Sequence, residues 1–129
     1  MPSKAEHLQK YKINKNILET VLDPKNKEHY DWIVIVCFYT ALHIIEARFA
    51  QKSINNATHK EREDRMRDNP DFGRKIAEKY KQLSSYSKVA RYQAKSMPMT
   101  LVDASIHYLQ YIEDTLMPII DSQSTDTSK

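Results

Sequence analysis

The chain has 129 residues, 40% of them hydrophobic and 29% charged, enough for the core of one solvated domain and too few for a second. One glycine in the whole sequence argues against the hairpins of a small all-β fold and excludes a glycine-rich phosphate loop. A single cysteine, Cys37, permits neither an internal disulfide nor a multi-thiolate zinc site and fits a reducing compartment, so the cytoplasm is the expected location.

The net charge of +3 is unevenly spread. From Arg74 to Lys95, seven basic residues face Glu78 alone, whereas from Asp103 onward five acidic residues face only Lys129. Such polarity suits either a phosphate-rich partner or an ordinary solvated helix face. The start, MPSKAEHLQKYK, lacks the apolar run of a signal peptide. The longest apolar stretch, Trp32 to Ile45, falls short of the roughly 20 residues that cross a bilayer, so no membrane partner is expected.

Leu8, Tyr11, Leu18, Val21 and Leu22 recur at helical spacing, which predicts a first helix over 3–22 with Ser3 as cap and Asp23-Pro24 as breaker. A second helix over 27–51 is apolar on nearly every side, the mark of a central bundle element. Its β-branched run Ile33 to Val36 could suit a strand, but no turn signal follows before Ser53, so continuous helix is expected. Residues 52–58 form a polar loop. Thr58 and Glu61 then have capping-box form ahead of a short charged helix that stops before Asn69-Pro70. Pro70, capped by Asn69, opens a fourth helix reaching Tyr92, with Phe72, Ile76, Tyr80, Leu83, Ser87 and Ala90 inward. Thr100 and Asp103 suggest a weaker cap for a fifth helix. Leu101, Ala104, Tyr108, Leu109, Ile112 and Leu116 form its inner face, and Pro118 its end. Residues 1–120 thus make one all-α, up-and-down bundle of four to five helices, and the polar tail 121–129 is expected to be disordered.

Tyr39, His43 and Glu46 fall on one side of the second helix, a polar line on an apolar element. A buried carboxylate needs a cationic partner, and Arg62 and Arg91 are the candidates. The result is a polar cleft suited to an anion, or a purely structural network. On the fourth helix Lys81, Lys88, Arg91 and Lys95 form a basic stripe with Tyr80, Tyr86 and Tyr92 in the same segment, a weak pattern for nucleic-acid contact. His43 and Glu46 lack the further inward carboxylates of a helical metal site, so no metal and no cofactor are indicated. Cys37, between Val36 and Phe38, is a packing residue, and Asp71-Phe72-Gly73 is an accidental match to a kinase motif.

The stretch HYDWIVIVCFYTALHIIEARFA, the His59-Lys-Glu-Arg62 opening of the third helix and YKQLSSYSKVARY on the fourth resemble the HEPN superfamily over about residues 28–116. The resemblance implies a helical bundle, commonly homodimeric, working in toxin–antitoxin pairs, antiviral defence or beside a nucleotidyltransferase encoded nearby. Tyr39, His43, His59, Arg62, Arg91 and Tyr92 lie on the matching segments. Many members are metal-independent ribonucleases using an Arg, four to six intervening residues and a His. No His here has an Arg at that distance before it, and Ser96, Met97 and Pro98 stand where the His would follow Arg91. The expectation is therefore a noncatalytic module binding a nucleotide, nucleic acid or partner protein, with no catalytic residue assigned. In it Arg62 and Arg91 contact the ligand, Tyr92 stacks, and His43 and Glu46 orient them. The alternatives are a divergent ribonuclease with His59 as base and a structural assembly domain.

Overall fold

The structure, a computed structural model, describes residues 2–70, 72–93 and 97–127, with side chains described through Ser122. It is a helical bundle of α1 (Lys4–Thr20), α2 (Tyr30–Gln51), α3 (His59–Asp68), α4 (Gly73–Tyr92) and α5 (Met99–Thr127), and the described residues include no strand. A single 3-10 turn, Lys27–His29, leads into α2. The β-branched run of α2 is helical, as expected, because α1, α4 and α5 all pack on that helix and bury it.

Ile33, Val34, Cys37, Phe38, Ala41, Ile44, Ile45 and Phe49 of α2 meet Ile76, Tyr80 and Leu83 of α4 and Leu109, Ile112 and Leu116 of α5 in one core. The helix passes for a membrane span by length and apolarity alone, yet most of it is covered by the other helices. His7 at the start of α1 meets His43 late in α2, and Arg91 at the end of α4 meets Tyr39 in the first half of α2. Gln51 at the end of α2 donates to the Ile120 carbonyl late in α5. Hence α1 and α4 run antiparallel to α2 and α5, and α3 closes one end.

All six inward residues expected for α4 are buried, Phe72 just before its first turn and the other five within it. Ser3 and Glu6 form a reciprocal capping box on α1, which ends at Thr20 and leaves Val21 exposed. The Thr58 hydroxyl accepts from the Glu61 amide, while the Glu61 carboxylate accepts from the Ala57 amide. Thr58→Ala should therefore lower the unfolding free energy by about 1 kcal/mol, read from chemical denaturation.

Three boundaries differ from the sequence expectation. The fourth helix begins at Gly73, because the Phe72 amide turns back to the Asn69 carbonyl and Gly73 takes a left-handed φ of 71°, which glycine adopts without strain. Asn69 thus ends α3 instead of capping α4. The fifth helix starts before Thr100, its first turn closed by the Leu101 and Val102 amides on the Pro98 carbonyl. It also runs through Pro118 to Thr127. Pro118 is exposed, so the carbonyl it leaves unpaired can meet water, while the buried Leu116 and Ile120 on either side hold the helix in line.

Candidate functional site

The polar line on α2 is real, and it divides into three contacts. Glu46, 5% exposed, is the innermost. Arg62 on α3, 7% exposed, donates through Nε to Glu46 Oε1. Asn56 Nδ2 donates to the same oxygen over 3.1 Å. Arg62 Nη1 donates to His59 Nδ1 at 2.8 Å and to the Tyr80 hydroxyl at 3.2 Å. Burial works against the Arg62 charge, but Tyr80 and Glu46 outweigh it and hold its pKa above the usual guanidinium value. Burial pushes the Tyr80 phenol up to about 12. Arg62 is thus committed to the bundle.

Because a guanidinium only donates, His59 Nδ1 must accept, which puts the proton of the neutral ring on Nε2. His59 is exposed and its pKa is lowered, first by partial burial and then by Arg62, Arg91 and Lys88, against an opposing Glu63. The exposed edge of this imidazole is a donor in a positive field.

Arg91 is the opposite case to Arg62. Its Nη1 donates to the Tyr39 hydroxyl at 3.2 Å and its Nε to the Ser87 carbonyl at 3.3 Å. Its guanidinium carbon lies 5.9 Å from the centre of the Tyr39 ring and 5.2 Å from that of Tyr92. Among the described residues no carboxylate pairs with it. Two of its five N–H donors are engaged, which leaves three for a ligand. Tyr92 is 77% exposed.

His43 meets neither Glu46's partners nor Arg91. It faces His7 of α1, Nδ1 to Nδ1 at 3.1 Å, so one ring donates and the other accepts. Burial, then His7, Lys10 and Arg62, lower the His43 pKa to about 4. Burial also lowers that of His7, helped by Arg62 and opposed by Glu46 and Glu6. His7, Asn56 and Tyr80 join the site without having been expected there. The buried Tyr80 hydroxyl needed a partner, a signal that was available. His7 shares the inward face of Tyr11, and Asn56 left no signal.

The basic stripe is partly as expected. Lys81 and Lys88 are exposed, and Lys95 lies outside the described residues. Of the tyrosines of that segment, Tyr80 is buried and Tyr86 stacks on Tyr108 of α5, so only Tyr92 stands beside the outer cations. A second buried carboxylate, Glu113, is saturated by Tyr11 at 2.5 Å and Lys15 at 2.7 Å and ties α1 to α5. Burial pushes the Cys37 thiol up to about 12, so it serves packing and not nucleophilic attack. Among the described residues no three His, Cys, Asp or Glu side chains converge as a metal centre requires. Compared with protein family models, curated proteins and solved structures, the chain gives no match.

Proposed function

We propose that the chain is a noncatalytic, HEPN-like binding module that takes the phosphate of a nucleotide or nucleic acid at the mouth of the cleft between α2, α3 and α4. The observation that carries this reading is Arg91, a half-buried guanidinium held by two tyrosines, with three free donors and no carboxylate partner among the described residues. A half-buried guanidinium of this kind gains most from an anion that offers two oxygens to its fork of donors, as a phosphate does. His59, exposed and carrying its proton on Nε2, lies within the field of Arg91 and Lys88. In this reading Arg62, Glu46 and His43 position the contacting groups, and only Arg91, His59 and Tyr92 touch the ligand.

The Nε2–H form also argues against a ribonuclease in which His59 is the base, because the accessible nitrogen has no lone pair to receive a proton. A homodimer acting in a toxin–antitoxin or defence system, or with a nucleotidyltransferase encoded nearby, is the company the HEPN resemblance implies, and the single cysteine suits the cytoplasm. The test is calorimetric titration with ATP and with a labelled 12-nucleotide RNA in a chelating buffer. Both should bind, more weakly as salt rises, and the RNA should stay intact with both the native chain and His59→Ala. Arg91→Gln should weaken binding at least about tenfold with the melting temperature kept. Absence of binding to both ligands overturns the proposal, and cleavage lost in His59→Ala replaces it with the enzyme.

A further inference from the structure

The Arg91 site borders a face of α2 that runs on to Trp32, near the start of that helix. The helices α1 and α4 each pack on α2 but, among the described residues, not against one another. A strip of α2 therefore stays only partly covered between them. Trp32, Val36, Tyr39 and His43 lie on that strip at i, i+4, i+7 and i+11, within about 40° of one line. Every one of them is half-buried except Trp32, which is 60% exposed on the first full turn of the most buried helix in the molecule. An exposed tryptophan forgoes a large burial gain, and no described hydrogen bond or ring contact holds it.

Each wall of the strip carries a cation, with Glu6 also on the α1 side. Lys10 on α1 lies near enough to His43 to depress its pKa, and Lys88 and Arg91 line α4. None of the three has an ion pair among the described residues. Cations on two sides of an aromatic floor suit a phosphate backbone with bases stacked beneath it, and an apolar protein helix would leave those charges unanswered.

We infer that this strip is a track for single-stranded nucleic acid, with Trp32 as a base-stacking platform separate from the Arg91 phosphate site. The inference rests on the binding function proposed above and extends it from one phosphate to a strand. Trp32 and Tyr39 are seven residues apart, about 10 Å along the helix axis, beyond the reach of one nucleotide seated at Arg91. About three nucleotides of a stacked strand, at roughly 3.4 Å each, cover that distance. Trp32 is also the only tryptophan of the chain, so its emission reports on the track alone.

The experiment uses the full chain, a 12-nucleotide oligouridylate and uridine monophosphate at one ionic strength, with affinities from the anisotropy of a labelled 12-mer and competition by the mononucleotide. The 12-mer should bind about tenfold or more tighter than the mononucleotide and quench Trp32, which the mononucleotide should not. Trp32→Ala should weaken 12-mer binding by about tenfold and leave the mononucleotide affinity unchanged, with Trp32→Phe restoring most of the loss. Lys10→Glu, on the opposite wall from Arg91, should reduce the salt slope for the 12-mer by about 1. Trp32 is exposed, so an unchanged melting temperature shows that the fold is intact. Arg91-dependent binding that is indifferent to Trp32 overturns the track and leaves the proposed function standing. Failure of both ligands to bind the native chain overturns both.

Discussion

Replacing Arg62 by alanine should lower the unfolding free energy by about 3–5 kcal/mol, because it strands the Glu46 carboxylate inside the bundle with Asn56 as its remaining donor. It also removes the partner of the buried Tyr80 hydroxyl. Against a total of about 5–15 kcal/mol for a domain of this kind, the variant sits near the edge of folding. The melting temperature should fall by about 10–20 °C. The loss comes mostly from desolvation left uncompensated, not from the attraction itself. The double variant Glu46→Leu with Arg62→Met, which removes both charges and fills the space with apolar atoms, should therefore recover much of it. Thermal unfolding of the three proteins checks this, and a single variant that melts within about 3 °C of the native chain would show that Glu46 reaches water.

Acidification should act on the α1–α2 contact made by His7 and His43. Both imidazoles of the His7–His43 pair titrate lower in the folded chain than the ordinary value near 6.5, His43 at about 4. Between those values the unfolded chain binds protons that the folded one refuses, so stability rises with pH across that window. The contribution is whole above about pH 6.5, declines as pH falls, and has gone once His43 protonates in place. Allowing for the partial exposure of His43, the loss from pH 7 to pH 4 is on the order of 2 kcal/mol. Doubly protonated rings would set two N–H groups against each other at 3.1 Å, with Lys10 and Arg62 adding repulsion and Glu6 and Glu46 offsetting part of it. The double variant His7→Gln with His43→Gln should flatten the pH dependence of denaturation between 4 and 6.5. An unchanged slope would mean the rings already separate in solution.

The sequence showed the bundle most clearly where periodicity and burial coincide. The stripe from Phe72 to Ala90 was legible because six positions at helical spacing must face one way, and α2 was legible because its polar residues make only one narrow line on an otherwise apolar helix. The Glu46–Arg62 pair followed from the same logic, since a carboxylate on such a helix demands a cation. Boundaries were less legible. Asn69 ends α3 and Gly73 opens α4 around one turn hydrogen bond, and Pro118 is carried inside α5 by packing on its other face. Within the site, residue types alone made Arg62 and Arg91 equivalent ligand contacts. Only the partners in space distinguish the saturated guanidinium from the one with donors to spare. His7 was missed because α1 is weakly amphipathic, and the face it presents to α2 depends on how that helix docks.

The division between these two arginines is tested most directly by following their side-chain Nε–H resonances by NMR while the native chain is titrated with adenosine monophosphate. The expected result is a saturable shift of the Arg91 signal with that of Arg62 unmoved. A shift confined to Arg62, or saturation with neither signal perturbed, would contradict it.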